Sequence, residues 1–413
     1  MIYTFELKNG IRCIVNKIDG VFSVTSGILV GAGSFLETEK ENGISHFIEH
    51  VNFKGTTTRS AYQISSGIDN LGAQINAFTS KEFTCYYVKS TSEHFSKSFE
   101  ILADLFANSI YDEEELKKER GVIIEEINMY EDTPDEVCSD NLANAFYGDS
   151  GFGATILGTR ENVNSFDRKS VLDYKKKYYT TDNIVVSIAG AVDIEKTKDL
   201  LEKYLGDIES SKKSAHESVN TVNLCKNVYA NKDIEQAHIA LSIESPKLDD
   251  ALSDAYSVIC GALGGGMSSR LFQTVREKMA LCYSIYSYNT AYVPCGNMTV
   301  YAGVGLNNYK PAFNAILEEM YKLKREGVTE EEFMRTREQM KSAFVLAQES
   351  TASQMILFGK YMLLIGKVFD MNKRIEEINR LTLSHVNEVI KNTFETEKMA
   401  TSIVGNGVEP LVK

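Results

Sequence analysis

The sequence predicts two homologous α+β domains that arise from an internal repeat. The chain has 413 residues, a length that suits two domains of about 200 residues better than one. Strand-like alternation opens the chain and is followed by a mixture of further strands and long helical patterns. Past the middle of the chain the order of elements starts again. These observations together predict one mixed fold that is used twice.

The first half begins with a predicted sheet. Two alternating runs, Ile2–Leu7 and Ile11–Asn16, flank Asn9-Gly10, a pair that favours a two-residue hairpin turn. Further elements are predicted in this half: strands at Ser23–Val30, Phe83–Lys89 and Ile184–Ala189, a helix containing His46 to His50, and long helices across 93–109 and 112–131.

The two halves are separated by a polar segment without periodicity, residues 209–223, which we interpret as a linker. The predicted domains are therefore 1–212 and 224–413. A shift of 215 positions lays residues 180–190 on 395–405 without a gap, and a shift of 217 lays 113–116 on 330–333. Such self-similarity indicates a duplicated unit.

Composition excludes several classes of function. The net charge of −13, without a cluster of basic residues, argues against nucleic acid as a partner. The seven cysteines are scattered and form no C-x-x-C pair, which fits a reducing compartment. The N-terminus has no signal-like apolar run, and no stretch approaches the roughly 20 apolar residues that cross a bilayer. We expect a cytoplasmic protein without a membrane partner.

One short motif indicates metal chemistry. In His46-Phe-Ile-Glu-His50 the two histidines are four residues apart, so at about 100° per residue they project from one face of a helix. Glu49 stands close enough to act on a water molecule without being a ligand. This is the H-x-x-E-H arrangement of zinc peptidases, in which two imidazoles bind the metal and a carboxylate serves as the base.

Catalytic zinc usually takes a third protein ligand and keeps one position for water. The predicted helix from about Asp112 to Glu131 offers two candidates, Glu119 and Glu126, which are seven residues apart and share a face. Spacing alone leaves the choice between them open, while Glu125 would face about 100° away from Glu126.

A pair of histidines at helical spacing is more often a surface or core feature than a ligand set. Two further facts favour the metal here. The chain has only six histidines, and in the duplicate half the positions of His46, Glu49 and His50 hold Gly261, Gly264 and Gly265. The sequence thus predicts that only the first half contains the active site.

The sequence resembles the pitrilysin family of metallopeptidases, in particular the short branch that includes mitochondrial processing peptidase and its bacterial relatives. The similarity extends over nearly the whole chain. The matching segments are Gly31–Ser34 with Glu37, Asn42–His50, Phe53–Thr56, Asn76–Thr79, Glu119–Glu126, Gly264–Phe272 and Arg276–Tyr283.

The resemblance implies a role for each residue of the site. It makes His46, His50 and Glu126 the ligands of one zinc ion per chain, Glu49 the general base and Glu119 an outer carboxylate. It also implies two groups that bind the substrate or the reacting carbonyl. The first is an edge strand with Asn76, Ala77, Phe78 and Thr79, and the second is the pair Arg276 and Tyr283.

The resemblance further implies that the two domains pack as a half-clamshell and that a homodimer encloses a chamber. Unfolded or short peptides would be the substrates of this endopeptidase, cleaved by zinc-bound water that Glu49 activates. Two alternatives remain: a non-catalytic structural or assembly subunit, and a processing subunit that is active only with a separate partner lacking the motif. The glycine run at Gly264–Gly266 is followed by no Lys-Ser/Thr, so we do not expect a phosphate-binding loop.

Overall fold

A computed structural model describes residues 1–212 and 223–411, and most of the predicted linker lies outside these residues. The described chain forms two sheets with helices packed against them, which confirms the predicted mixed fold class. The elements of the first half are strands β1 (Ile2–Glu6), β2 (Arg12–Lys17), β3 (Ser23–Val30), β4 (Gln74–Thr79), β5 (Thr84–Thr91) and β6 (Ile184–Gly190), and helices α1 (Ile44–Val51), α2 (Ala61–Asp69), α3 (Phe95–Asn108), α4 (Glu113–Glu131), α5 (Pro134–Tyr147), α6 (Arg160–Ser165), α7 (Arg168–Tyr178) and α8 (Ile194–Leu205).

The second half follows the same plan. Its elements are strands β7 (Asn227–Asn231), β8 (Gln236–Glu244), β9 (Cys282–Ala291), β10 (Gly296–Gly305) and β11 (Met399–Gly405), a π-helical turn (Phe272–Lys278), and helices α9 (Ser253–Gly264), α10 (Tyr309–Glu326), α11 (Glu330–Ala347), α12 (Thr351–Ile365), α13 (Met371–Arg380) and α14 (Leu383–Thr393). Within these described residues, no helix combines the length and the apolar character that crossing a bilayer requires.

The strand orders of the two sheets support the internal repeat. The first sheet has the order β1-β2-β6-β3-β5-β4 and the second has the order β7-β11-β8-β10-β9. In each sheet one parallel pair, β2 with β6 or β7 with β11, is followed by antiparallel pairs out to the far edge. The second sheet therefore reproduces the first from β2 to β4, and β4 and β9 occupy equivalent edges.

The first hairpin forms as predicted, but its connection is longer than two residues. β1 pairs antiparallel with β2, and the backbone N–H of Gly10 donates to the carbonyl of Leu7. Lys8 and Asn9 lie at the centre of this turn. Gly10 follows at φ +91°, a left-handed conformation that glycine adopts without a steric penalty.

The chain divides into two compact units, and each contains a segment from the other half of the sequence. The first unit holds the described residues of Met1–Ile127, Thr155–Glu217 and Val345–Phe369; the second holds those of Asn128–Ala154, Ser218–Phe344 and Asp370–Lys413. Helix α12 thus covers the first sheet, and α5 covers the second. The boundaries 1–212 and 224–413, which concern the duplicated halves, stay a prediction.

Each unit has its own apolar core. In the first, Met355 of α12 is fully buried against Leu29 and Cys85 of the sheet. In the second, residues of β8 and β10 such as Ile239 and Val300 are buried against α9 and α10. Because both faces of these strands are covered, they are buried along almost their whole length, as β6 is from Ile184 to Gly190.

Candidate metal centre

The beginning of helix α1 is held by the carboxylate of Glu37. Gly43, at φ +98°, precedes the helix, and the Glu37 carboxylate accepts hydrogen bonds from the backbone N–H groups of Gly43 (2.7 Å) and Ser45 (2.9 Å). A carboxylate at this end also meets the positive end of the helix dipole. Burial raises the pKa of Glu37, although these hydrogen bonds act in the opposite direction.

The apolar side of α1 faces the core, where Phe47 and Ile48 are fully buried. The opposite side presents His46 and His50, whose ring centroids are 4.6 Å apart. The predicted helical spacing therefore brings the two imidazoles together, with His46 only 7% exposed.

Helix α4 supplies the third donor. Glu126 Oε2 lies 3.7 Å from His46 Nε2 and 3.4 Å from His50 Nε2. The possible ligand atoms of these three residues all lie within 4.8 Å of one another. Two imidazole nitrogens and one carboxylate oxygen at one point form a donor set that catalytic zinc uses.

The protonation of the two histidines is consistent with a cation at this position. Burial, together with the neighbouring His50, lowers the pKa of His46 to about 4, which keeps its ring neutral as a metal requires. Burial also opposes protonation of His50, but hydrogen bonds to Glu119 and Glu126 outweigh it and raise the pKa of His50 to about 9. Without a metal, Glu119 and Glu126 thus hold a proton on His50, and a metal that binds this ring has to displace it.

Glu119 lies one step outside these three residues. It is 4% exposed, and its Oε2 is 3.2 Å from His50 Nδ1, the ring nitrogen opposite the one that faces Glu126. Its Oε1 is 2.5 Å from Lys54 Nζ. Burial tends to raise the pKa of Glu119, but the hydrogen bonds from His50 and Lys54 lower it on balance. The geometry separates the two glutamates that spacing alone could not distinguish.

Glu49 projects beside the three donors and contacts the edge strand. Its Oε2 accepts a hydrogen bond of 2.6 Å from the Thr79 hydroxyl. Burial raises the pKa of Glu49, while Thr79 and the nearby His50 act in the opposite direction. A carboxylate whose affinity for protons is raised in this way is suited to serve as a general base.

The strand with Asn76, Ala77, Phe78 and Thr79 is β4, which lies at the edge of the first sheet and pairs with β5. An edge strand keeps one row of backbone donors and acceptors unpaired, and a peptide can pair with that row. Thr79 ends β4 at Glu49, so the edge leads directly to the proposed base.

Arg276 and Tyr283 lie together in the second unit. The Arg276 guanidinium is 5.5 Å from the centroid of the Tyr283 ring and 4.5 Å from that of Phe272, and Tyr283 is 81% exposed. Arg276 belongs to the π-helical turn, a rare conformation that often marks functional sites. The role of this pair at the metal centre stays a prediction.

Sequence reasoning missed the residues that hold the far end of α1. Asn52 is fully buried; its side-chain oxygen accepts from the Tyr111 hydroxyl (2.7 Å), and its carbonyl accepts from the Ser109 hydroxyl (2.9 Å). Lys54 was also missed as a partner of Glu119. Its spacing of four residues from His50 was an available signal, because residues four apart share a helix face.

Comparison with known proteins gives the family. The model described as "Insulinase (Peptidase family M16)" matches residues 14–160, and the model described as "Peptidase M16 inactive domain" matches residues 165–340. The Bacillus subtilis protein named uncharacterized zinc protease YmxG is 41% identical over 407 residues, covering 98% of each chain. The chain belongs to peptidase family M16. This membership places it among zinc proteases in general and confirms the resemblance stated from the sequence.

Solved structures of M16-like proteins share the fold. A protease from Helicobacter pylori has a TM-score of 0.90 at 22% identity, covering 98% of this chain and 99% of the other. A Pseudomonas fluorescens structure titled peptidase M16 inactive domain has a TM-score of 0.91 at 16% identity and covers 100% of both chains. The fold is thus shared by a structure described as a protease and by one described as an inactive domain. The fold alone therefore does not decide whether a chain is active, and the site residues have to decide it.

Proposed function

We propose that this M16 protein is a zinc-dependent endopeptidase that hydrolyses unfolded or short peptides. The observation that supports this most directly is the convergence of His46, His50 and Glu126 on one point, with Glu49 beside them. Zinc, when bound, supplies a Lewis acid that polarises the peptide carbonyl and lowers the pKa of water at its open position. We assign one zinc ion to each chain.

The residues of the chain then have separate tasks. Glu49 accepts the proton of the attacking water on its carboxylate and returns it to the leaving amide nitrogen. The Thr79 hydroxyl, 2.6 Å from Glu49 Oε2, orients that carboxylate. β4 pairs with the substrate backbone through Asn76 to Thr79, which presents the peptide bond at the end of the strand and tolerates many side chains.

The first experiment measures metal content and cleavage of an unstructured peptide of a few dozen residues for wild type and Glu49→Gln. Both proteins should bind about one zinc per chain, because Glu49 is not a ligand in this proposal. Cleavage by Glu49→Gln should fall by roughly 10²–10⁴-fold, the typical contribution of a general base. Failure of both proteins to hold zinc would refute the site assignment.

The alternative is a non-catalytic or partner-dependent subunit of the same fold. The neighbour titled as an inactive domain supports considering it. Wild type that binds zinc yet cleaves no peptide of a broad library would favour this alternative over the endopeptidase.

We also propose a homodimer in which Arg276 and Tyr283 of one chain act on the substrate bound by the other. The high exposure of Tyr283 supports a role outside its own unit. Arg276→Ala and Glu49→Gln proteins, each inactive alone, should regain activity when mixed. Specific activity that is unchanged on dilution to monomers would contradict the shared site.

A closed chamber would select substrates by size. We expect a disulfide-bonded small protein to resist cleavage and its reduced, unfolded form to be cleaved. Equal cleavage of both forms would contradict the chamber.

A further inference from the structure

Lys54 is connected to the metal centre through a single carboxylate. Its ammonium lies 2.5 Å from Glu119 Oε1, and the other oxygen of Glu119 lies 3.2 Å from His50 Nδ1. We propose that Lys54 is a positioning residue: it anchors Glu119 so that the carboxylate fixes the ring of His50. This inference rests on the proposed zinc site and adds a residue to it.

The chain places Lys54 at this position through the continuation of α1. After Val51 the helix tightens into a 3-10 turn, Asn52–Lys54, and Gly55 at φ +119° then redirects the backbone. Lys54 follows His50 by four residues, so both side chains reach the same carboxylate from one side of one helical stretch.

The turn itself is rigidly held. Asn52 is fully buried and is bound by hydroxyl groups of Tyr111 and Ser109, as described above. Lys54 therefore projects from an anchored backbone, and its ammonium reaches Glu119 from a fixed point. A side chain on a mobile loop could not define the position of a carboxylate in this way.

The geometry explains why the position of Glu119 matters for His50. When Nδ1–H donates to Glu119, Nε2 is the ring nitrogen that faces Glu126 Oε2, 3.4 Å away, and it is the nitrogen left to bind a metal. A carboxylate bonded to one ring nitrogen fixes both the tautomer and the orientation of a ligating histidine. Without Lys54, the almost fully buried Glu119 would lose its cation, and an uncompensated carboxylate favours any rearrangement that brings it to water.

A second lysine–glutamate pair on α4 provides a matched control. Lys118 Nζ is also 2.5 Å from a carboxylate, that of Glu115, but Lys118 is 66% exposed whereas the Lys54 side chain is 32% exposed and Glu119 only 5%. Exposed pairs of this kind contribute little. The two pairs therefore share chemistry and length and differ in burial and in contact with His50.

The test measures zinc affinity of the full chain by competition with a chelator, and the absorption spectrum of the cobalt-substituted protein. Lys54→Met should bind zinc about 10–100-fold more weakly than wild type, the range typical for loss of an outer partner, and should change the cobalt spectrum. Lys54→Arg should recover most of the affinity, and Lys118→Met should match wild type.

The route through Glu119 is tested by a double-mutant cycle. In the Glu119→Gln background, Lys54→Met should cause no further loss of zinc affinity. Fully additive losses, or wild-type affinity and spectrum in Lys54→Met, would overturn the positioning role. Should Lys54→Met not fold, as judged by circular dichroism of the metal-free protein, Lys54→Gln takes its place in the cycle. If wild type itself binds no zinc, the proposed function fails and this inference fails with it.

Discussion

Each of the two units contains an equivalent pair of helices, but the contacts between the paired helices differ. By the repeat, α1 corresponds to α9 and α4 to α11, with Gly261 at the position of His46 and Thr336 at that of Glu119. In the first unit, side chains of α1 and α4 meet across a polar gap, as His50 and Glu119 do at 3.2 Å. In the second, a Cβ atom on Gly261 would lie 2.3 Å from Thr336 Cγ2.

At the equivalent position the second unit has neither the donor side chains nor the space that the candidate metal site of the first unit has. A glycine and a threonine let α9 and α11 pack closely, and close packing stabilises a core. The first unit keeps polar groups at the same place, where they require partners and contribute less to stability. A duplicated fold can thus keep chemistry in one copy and packing in the other.

The largest expected effect is the loss of zinc affinity when a polar group between α1 and α4 of the first unit is changed. Glu126→Gln removes the carboxylate that completes the proposed ligand set with His46 and His50. Zinc affinity should therefore fall by more than the roughly 100-fold that loss of an outer partner can cause, and peptide cleavage should fall with it. Chelator competition and a peptide assay measure both. Glu125→Gln, an exposed neighbour, should behave as wild type; similar losses in both variants would contradict the assignment.

The next effect concerns a lysine whose counterpart in the second unit is apolar. Lys175 of α7 corresponds to the buried Ile390 of α14. The Lys175 ammonium is 5.0 Å from the ring centroids of Tyr111 and Tyr179. It donates to the Phe106 carbonyl (3.3 Å) and to the Tyr111 hydroxyl. Burial lowers the pKa of Lys175 to about 7.

An unfolded lysine titrates near about 10.4. Between pH 7 and that value the unfolded chain binds a proton that the folded chain has released, so this lysine makes stability rise with pH there and has no such effect below. In Lys175→Ile the rise should disappear, a difference on the order of a few kcal/mol between pH 7 and pH 10 in urea unfolding. The exposed Lys176→Gln should keep the wild-type slope; an equal slope in all three proteins would refute the buried ammonium.

A third effect tests the close packing of the second unit. Gly261→Ala should destabilise the protein by about 1–3 kcal/mol, the usual cost of overpacking, although alanine favours helix. Thr336→Ser removes the methyl group in the way and should restore most of the loss in the double variant. Gly266→Ala provides the control, because a Cβ atom there would lie 3.9 Å from Gln339 Nε2, an ordinary van der Waals contact. Unchanged melting of Gly261→Ala would show that the helices separate readily.

The smallest effect compares two hydroxyl groups on equivalent edge strands. Thr79 of β4 donates to Glu49, whereas Ser287 of β9 donates to the Cys260 carbonyl of α9 at 2.7 Å. Because the Thr79 bond lowers the pKa of Glu49, Thr79→Val should move the acid limb of the kcat/KM profile to higher pH and cost a few-fold in rate near neutrality. Ser287→Ala should leave the profile unchanged. A uniform loss at every pH would instead indicate a role in strand packing.

Much of the first half could be predicted from its sequence because local patterns specify it. Alternation gave the strands β1, β2, β3 and β6 within a residue or two, and the spacing of His46 and His50 gave a shared helix face. The third donor could not be derived in this way. Glu119 and Glu126 share a face of α4, and what separates them is the contact of each with a different nitrogen of His50, a tertiary fact.

Sequence patterns also could not predict that α12, from the second half of the chain, covers the first sheet, and that α5, from the first half, covers the second. The sequences of α5 and α12 predict helices with apolar residues to bury, but they contain no information on which sheet each helix covers. The pair Asn9-Gly10 predicts a turn of two residues, but the hydrogen bonds between Leu7 and Ile11 and from Gly10 to Leu7 include Lys8 in the connection. The residue pair alone does not specify this extra residue.

Helix α12 also sets an order of events during synthesis. The Ser187 hydroxyl donates to the Met355 carbonyl at 2.7 Å, and the hydroxyl groups of Thr25 and Thr351 lie 2.9 Å apart, across 326 positions of sequence. A ribosome adds about 5–20 residues each second, so the first sheet is complete about 10–30 seconds before its covering helix. Until then its apolar face is a natural substrate for a chaperone, and the unit that contains the candidate metal site is completed only when α12 has been made.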